Sequence, residues 1–390
     1  TRSLLLFALP MMAGSLLQQL YNVADTLIVG RALGRDALAA VGSAFTLMTF
    51  LTSIFLGLAM GAGALFAICI GRGDMASLRR AAALALCLIG AVTAVLTGLV
   101  YALLSPVLRF LQIPEALLGD MSGYLRIIFA GLTATFLYNY FACLLRSAGN
   151  SAAPLWFLGG AALLNVGLDL LFVLVCRWGV SGVAAATVIA QYTAGLGLAV
   201  YALRRCRELL PRREDFRFDR RTLRELLDLS LLTCVQQSAM NFGILLVQRL
   251  VDSFGPVVMA AFAAAVKIDA FAYMPVQDFG NAFSTFAAQN YGAGQPERLR
   301  QGLRHATAVS AAFSCAVAAL VVLFARPLMG LFVQAGETEV IAAGVLYLRI
   351  EGAFYAGIGC LFLLYGFYRA VQRPGMSVVL TVISLGTRVA

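Results

Sequence analysis

Charged residues are scarce in this chain of 390 residues. They make up 12% of it, whereas hydrophobic residues make up 61%, and the mean hydropathy is +0.88. A soluble domain carries about a quarter charged residues. The shortage of charge excludes an ordinary water-soluble protein, and the long apolar runs that take its place indicate an integral membrane protein.

Residues typical of catalytic and metal sites are also few. The chain has one histidine, His305, its eight cysteines form no C-x-x-C pair, and it contains no H-E-x-x-H, G-x-S-x-G or D-D-x-x-D motif. Intramembrane hydrolases and metalloenzymes depend on such clusters of nucleophiles and ligands. We therefore expect neither an enzyme nor a cofactor.

Hydropathy divides the chain into long apolar segments separated by short polar ones. The predicted spans lie near 4–30, 41–68, 81–104, 121–144, 154–176, 182–203, 226–249, 257–288, 303–325, 344–367 and 375–390. About 20 apolar residues in a helix cross a bilayer. Alternation with a period of two residues is nowhere sustained, so the spans are predicted to be helices. The predicted fold class is an all-α polytopic membrane protein.

The basic residues are distributed unevenly between the two sides of the membrane. If the N-terminus is cytoplasmic, 19 arginines fall on cytoplasmic ends and loops and 6 on the outer side. This bias follows the positive-inside rule. It predicts a bacterial cytoplasmic (inner) membrane protein with a cytoplasmic N-terminus. The Arg-rich segment 204–225 is predicted to be a cytoplasmic linker in contact with anionic membrane lipid rather than with nucleic acid.

The two sides of that linker resemble each other. "GRGDMASLR" (71–79) corresponds to "GAGQPERLR" (292–300) at an offset of 221, and "YLRI" occurs at 124–127 and again at 347–350. Such spacing indicates duplication of a six-helix unit. Parallel repeats form two lobes around a substrate site. We predict a first lobe at 1–203, the linker at 204–225 and a second lobe at 226–390, with twelve helices expected and the chain ending within the eleventh.

Polar residues of the first lobe share one depth in the membrane. Asp25 lies on the first span, Asn165 and Asp169 lie one turn apart on the fifth, and Tyr124 and Thr187 lie on the fourth and sixth. The helix rise places all five in the outer half of the bilayer. Two carboxylates that share a cavity cannot both ionise cheaply, so the set predicts a proton or sodium site at Asp25 and Asp169. A purely structural hydrogen bond of Asp25 is the alternative.

The second lobe carries polar residues in a different arrangement. Lys267 is the only lysine of the chain. Because a buried lysine can lose its proton and an arginine cannot, we predict that Lys267 is buried and titrates. Chance retention and a structural ion pair with a nearby acid are the alternatives. The candidates for a second polar site are Gln237, Asn241, Lys267, Asp269, Asp278 and Glu351.

Several of these segments resemble the multidrug and toxic compound extrusion (MATE) transporters, most closely the DinF-like branch. The similarity is carried by "LPMMAGSLLQQLYNVADTLIVGRALGRDALAAVG", by "NVGLDLLFVLVCRWGVSGVAAATV" and by "YMPVQDFGNAFSTFAAQNYGAGQ". It implies two six-helix lobes and export driven by entry of H+ or Na+. The cation site of the family maps onto Asp25, Asn165, Asp169 and Thr187, and its kinking proline and nearby glutamine onto Pro10 and Gln18. The seventh span lacks the acid that some relatives use in the second lobe.

The resemblance also implies the partners. We expect a monomeric exporter of small amphipathic organic cations, with no cofactor and with H+ or Na+ as the coupling ion. A flippase for lipid-linked oligosaccharides, from the same superfamily, is the alternative function. A cationic central cavity would favour that alternative, whereas the polar candidates here are mainly acidic.

Overall fold

A computed structural model describes residues 2–33, 35–110, 115–217, 219–333 and 337–389, and within these ranges all regular structure is helical. The α-helices are α1 (Arg2–Ala32), α2 (Arg35–Gly71), α3 (Met75–Ala102), α4 (Leu104–Phe110), α5 (Glu115–Ala130), α6 (Leu132–Ser147), α7 (Ala152–Leu170), α8 (Gly179–Arg205), α9 (Arg220–Asp252), α10 (Pro256–Gly292), α11 (Pro296–Leu323), α12 (Ala325–Gly330), α13 (Thr338–Ala353), α14 (Tyr355–Ala370) and α15 (Pro374–Val389). The predicted all-α class is confirmed.

The predicted spans coincide with helical segments. Among the described residues, eight helical segments are long and apolar enough to cross a membrane, or nine if the bent pair α13 and α14 counts as one. The predicted seventh span lies within α9, which has 33 residues. The predicted eleventh lies in α15, whose apolar part covers Pro374–Gly386. The chain is a multi-pass membrane protein.

Two predicted spans are interrupted at related positions. The fourth is divided into α5 and α6 at Gly131, and the tenth into α13 and α14 at Phe354, where the helix axis bends by 51°. The two breaks have the same offset in sequence, 223, as the repeated "YLRI" motif. The internal duplication is therefore visible in the irregularities of the helices as well as in the sequence.

The helices form two lobes. In the first, α7 packs on α1 and α8, and α6 packs on α8 and α2; in the second, α10 packs on α14 and α13, and α9 packs on α15. The largest contact between lobes is that of α2 with α9, followed by those of α10 with α1 and α2. Each lobe has its own apolar core, and a third cluster lies where α1, α2 and α10 meet.

The segment between α8 and α9 lies against the start of α3. Asp215 is buried, and its carboxylate forms an ion pair with Nε of Arg79 at 3.3 Å. The backbone amide of Arg212 also donates to Asp215, at 2.8 Å. We call the end of the bundle that carries this segment the linker end. The N-terminus of α1, the C-termini of α2 and α10 and the turn at 148–151 lie at the same end, because successive spans alternate in direction.

The two lobes are in close contact at the linker end. A Cβ atom on Gly71 would overlap the carbonyl oxygen of Gln289, and one on Gly292 would overlap that of Ile68. Both pairs are related by the repeat offset of 221. The Gln289 amide also donates to the Ser147 carbonyl, at 2.7 Å. We call the Gly71–Gln289 and Gly292–Ile68 contacts the glycine contacts; they hold α2 and α10 backbone to backbone.

Candidate functional site

The predicted first-lobe site forms between α1 and α7. The carboxyl groups of Asp25 and Asp169 approach each other closely enough to interact directly. Asp169 is completely buried, and Asn165 is 2% exposed on the same face of α7, since residues four apart lie one turn from each other. The structure thus places Asp25 and Asp169 side by side, with Asn165 one turn from Asp169 on the same helix; that they form a cation site stays a prediction.

The polar atoms of this site have few partners in the protein. Within the described residues, both carboxyl oxygens of Asp169, both polar atoms of the Asn165 amide and one oxygen of Asp25 are buried without a hydrogen bond. Buried polar groups are almost always paired, because leaving one unpaired costs about 1–3 kcal/mol and more for a charge. A cluster of this kind is suited to take up a proton or a cation.

Two tyrosines surround the acids. Tyr124, predicted as a member of the site, is 6% exposed and lies close to both Asp25 and Asp169. Tyr21 lies close to Asp25 and to the side chain of Gln18. Tyr21 was missing from the predicted set. Its spacing from Gln18 and Asp25, three and four residues on one helix face, is the pattern that identifies it.

Other predicted members of the first-lobe set have more local roles. The hydroxyl of Thr187 donates to the carbonyl of Val183 in its own helix at 3.0 Å, and in the described part of the chain it makes no hydrogen bond to either acid. The side chain of Gln18 contacts Tyr21, which in turn lies close to Asp25. Pro10 lies within α1, which continues through it as one helix.

The helix that carries Asp169 changes its geometry directly after the site. α7 ends at Leu170 and continues as a π-helical turn, Leu171–Val175. Such turns are frequent at functional sites because an extra residue per turn changes the direction of the side chains. The stacked rings of Phe172 and Trp178, with centroids 4.6 Å apart, pack beside this turn.

The second-lobe candidates do not form one site. Asp269 is buried on α10 and accepts a short hydrogen bond from the hydroxyl of Tyr355, the first residue of α14. Glu351 lies near Tyr355, on the other side of the bend at Phe354. The bend places Tyr355 against α10, so a structural feature that the hydropathy pattern did not predict gives Asp269 its partner.

The remaining second-lobe candidates lie elsewhere. Asp278 is nine residues beyond Asp269 on α10, about 14 Å along the helix. It lies near Ser15 of α1 and near the charge of Arg146, at the boundary between the lobes. Gln237 is buried and Asn241 half-buried on α9, a helix that packs mainly on α2 and α15.

The prediction that Lys267 is buried is wrong. Its side chain is exposed, and Nζ lies 6.0 Å from the ring centroid of Phe332. The neighbouring Ile268 and Asp269 are the residues that α10 directs into the core. A cation over an aromatic face is stabilised by the ring quadrupole. The contact with Phe332 is the interaction that the structure shows for this lysine.

Comparison with known proteins places the chain among transporters. The family model described as MatE matches residues 10–171 and 233–390. YpnP of Bacillus subtilis (strain 168), a probable multidrug resistance protein, is 30% identical over 98% of this chain and 85% of its own. An FAD transporter of Shewanella oneidensis is 25% identical over 98% of this chain and 85% of its own.

Solved structures agree with these relatives in fold. The MATE transporter VcmN of Vibrio cholerae superposes with a TM-score of 0.93 at 23% identity, covering 99% of this chain and 87% of that one. At this level of identity the likeness concerns the fold, which is the two-lobe helical architecture described above.

Proposed function

The chain belongs to the MatE family of multidrug transporters, and from this premise we propose that it is a secondary active exporter driven by entry of H+ or Na+. The proposed cargo is small amphipathic organic compounds, cations above all. The observation that carries the coupling is the cluster of Asp25, Asn165 and Asp169, whose buried polar atoms lack hydrogen bonds within the described residues.

The electrostatics of this cluster support ion coupling. An ionised carboxylate in the membrane interior is costly unless it is neutralised, and two at close range repel each other as well. Uptake of one proton lets the two carboxyl groups share a hydrogen bond. A sodium ion would be held instead by the two carboxylates and the amide oxygen of Asn165. Both ions therefore suit the site, and each would be released when Asp25 and Asp169 move apart.

We propose that the linker end faces the cytoplasm. The arginine bias of the sequence supports this orientation. The glycine contacts then close the cytoplasmic side, and the described conformation is the one accessible from outside. Rocking of the two lobes would open the linker end and give the cytoplasm access to the space between the lobes. Binding of H+ or Na+ shifts this equilibrium only by its difference in affinity for the two states.

The proposed export uses one chain, since the Asp25–Asp169 site lies within a single lobe. The proposed location is the bacterial inner membrane. None of the relatives reported above is a flippase for lipid-linked oligosaccharides, so this alternative is not favoured. Because one relative is named as an FAD transporter, we include anionic compounds among the candidate substrates to be measured.

The test is transport by the purified protein in lipid vesicles. We expect efflux of a fluorescent organic cation when a pH gradient or a sodium gradient is imposed, and the gradient that drives it identifies the coupling ion. FAD serves as a second substrate in the same vesicles. Transport of neither compound under either gradient would argue against the proposed function.

A further inference from the structure

A long groove runs along an exposed side of α8. Its volume is about 710 Å³, and it is lined by one face of α8 and by Phe157 of α7. The side chains of Leu196 and Val200 in this groove are 50% and 45% exposed. No described helix covers this face. The volume lies within the range of sites that bind small molecules.

The wall of the groove offers no free polar group over most of its length. The hydroxyl of Thr193 donates to the carbonyl of Ile189 at 2.8 Å, and that of Tyr192 donates to the carbonyl of Ala130 at 2.9 Å. Both hydroxyls are therefore engaged by the backbone. Apolar carbon is what remains to contact a ligand here.

The floor of the groove is held in a fixed shape. Gly197 lets the ring of Phe157 approach the α8 backbone, since a Cβ atom there would lie 2.8 Å from ring carbons. The same ring packs edge-on against Tyr201, with centroids 5.9 Å apart. The Tyr201 hydroxyl accepts from the amide of Asn150 at 3.3 Å. A surface with these constraints is formed before any ligand binds.

Two cations lie at one end of this apolar surface. Arg204 and Arg205, both exposed, line the groove where α8 ends. In the described part of the chain, neither side chain makes a hydrogen bond or an ion pair, whereas the adjacent Arg207 donates to the carbonyl of Leu203. The guanidinium groups of Arg204 and Arg205, unpaired within the described residues, therefore lie at the end of the apolar groove that coincides with the C-terminus of α8.

We propose that this groove is a binding site for one anionic phospholipid. An acyl chain lies along Leu196 and Val200, and the phosphate of the head group pairs with Arg204 and Arg205. The lined segment from Val188 to Arg205 is about 26 Å long by the helix rise. One leaflet of a bilayer with its head groups is about 20–22 Å thick. Placing this lipid in the cytoplasmic leaflet depends on the orientation proposed above, while the binding itself does not.

The arrangement favours a lipid over a protein partner. A partner helix would place its own polar and apolar side chains along the whole groove, whereas the groove is mainly apolar, with its hydroxyls bound to the backbone, and is cationic at one end. Charge of one sign at the membrane boundary is the feature that attracts anionic head groups. Phosphatidylglycerol is the simplest lipid that meets both requirements.

The experiment measures lipid binding to the purified, delipidated protein by native mass spectrometry. We expect one phosphatidylglycerol to bind at least tenfold more tightly than phosphatidylcholine with the same acyl chains. The double variant Arg204→Gln/Arg205→Gln should weaken phosphatidylglycerol binding by about 30-fold, roughly fivefold for each arginine, and leave phosphatidylcholine unchanged. Val200→Trp should weaken both lipids, because it fills the groove.

Matched variants control for general effects. Arg298→Gln/Arg300→Gln removes two exposed arginines at the same end of the bundle, and Leu163→Trp adds a ring at a lipid-facing position that is 78% exposed; both should bind lipid normally. Inorganic phosphate at matched ionic strength should not displace the lipid. Equal binding of the two lipids, or unchanged phosphatidylglycerol binding by the Arg204→Gln/Arg205→Gln protein, would overturn the site. A stoichiometric protein partner that occupies the groove would do so too.

Discussion

The two lobes differ in the side chains that they carry at two repeat-related positions. "QQ" at 18–19 and 236–237 sets a local offset of 218, which relates Asp25 of α1 to Gly243 of α9. Pro154 and Pro374 set an offset of 220, which relates Asn165 of α7 to Leu385 of α15. In the first lobe these two positions carry polar side chains with buried atoms that lack a hydrogen bond in the described residues, whereas in the second they are the apolar residues Gly243 and Leu385.

The apolar pair leaves no space for a carboxyl group. A Cβ atom on Gly243 would overlap the side chain of Leu385. Asp269 of the second lobe lies on another helix and has Tyr355 as a partner.

Both copies have kept their helix packing, while the pair of acids in contact with each other lies in the first copy. Asp278 of the second lobe also has one buried oxygen without a hydrogen bond in the described residues, but its neighbours are Ser15 and Arg146 and not a second acid. Ion coupling is consequently expected to depend on the first lobe.

The glycine contacts are the converse case, because there both lobes are alike. Gly71 and Gly292 are repeat-related, and so are the residues that they meet, Ile68 and Gln289. Close approach of two backbones has the same requirement in each copy, namely the absence of a Cβ atom. Symmetry is therefore expected for variants at the linker end and asymmetry for variants at the acids.

The largest effect is expected from the first-lobe acids. Asp169→Asn and Asp25→Asn should each reduce gradient-driven export in vesicles by at least 100-fold, because the amide can neither take up a proton nor neutralise a cation. Asp269→Asn is the matched change in the second lobe and should retain export within about tenfold, since its partner Tyr355 can still donate to the amide oxygen.

The measurement is the initial rate of substrate efflux at equal protein content, with size-exclusion profiles as the control for folding. Equal losses in Asp169→Asn and Asp269→Asn would erase the proposed difference between the lobes. Full export by the Asp25→Asn protein would remove the site from the coupling mechanism.

A smaller effect is expected at the glycine contacts. Gly71→Ala and Gly292→Ala each insert a methyl group between backbones that have no space for it, so both should shift the protein toward an open linker end and slow export by about tenfold, the equivalent of ~1.4 kcal/mol. Spin-label distances between the C-termini of α2 and α10 measure the opening. Gly98→Ala, where a Cβ atom meets nothing within 4 Å, is the control. Opening by only one of the two variants would contradict the symmetry.

Much of the fold and of the first-lobe site could be predicted because both depend on distance along the chain. Hydropathy gives the positions of the spans, and the helix rise gives the depth of Asp25, Asp169 and Tyr124, which lie close to one another. Tyr21 was missed although it lies four residues before Asp25, because apolar spans commonly contain tyrosine for packing alone.

Direction around a helix axis could not be predicted in the same way. Lys267 and Asp269 have nearly equal depth, yet the first is exposed and the second is buried. A prediction from depth in the membrane alone therefore put Lys267 and Asp269 into one candidate site, although their side chains point to different neighbours. The bend that brings Tyr355 to Asp269 was also outside prediction, since Phe354 is an ordinary apolar residue in an apolar run.

The partnered acid of the second lobe should contribute to stability more than to coupling. Tyr355→Phe removes a hydrogen-bond donor to the buried carboxyl group of Asp269 and should lower the free energy of unfolding by about 1–3 kcal/mol. Unfolding in an SDS titration measures it, and Tyr291→Phe, at a half-exposed tyrosine near the linker end, is the control. An unchanged unfolding midpoint together with lost export would indicate that Asp269 acts in coupling and not in stability.

The smallest effect compares two repeat-related helix starts at the linker end. Asp74 caps α3: its carboxylate accepts from the backbone amide of Ser77 at 2.9 Å and from the Ser77 hydroxyl at 2.6 Å. Gln295, at the offset of 221, stands at the same place before α11 and makes no side-chain cap. Asp74→Ala should therefore cost about 1 kcal/mol of stability, and Gln295→Asp should gain somewhat less because Glu297 adds a like charge nearby.

The dependence on pH separates this cap from packing. The hydroxyl and the amide of Ser77 hold the pKa of Asp74 below its ordinary value. A carboxyl group with a lowered pKa stabilises the folded state above its unfolded pKa, and this contribution is lost as the pH falls through the folded value. The difference in stability between the wild type and Asp74→Ala should thus reach its full size at neutral pH and disappear in the acid range below the ordinary aspartate pKa.

Asp74→Asn keeps an acceptor for the Ser77 amide, so its stability should stay near that of the wild type at neutral pH. A gap between the wild type and Asp74→Ala that stays constant down to pH 3, measured by thermal unfolding in detergent, would show that the Asp74 side chain acts through packing and not through its charge.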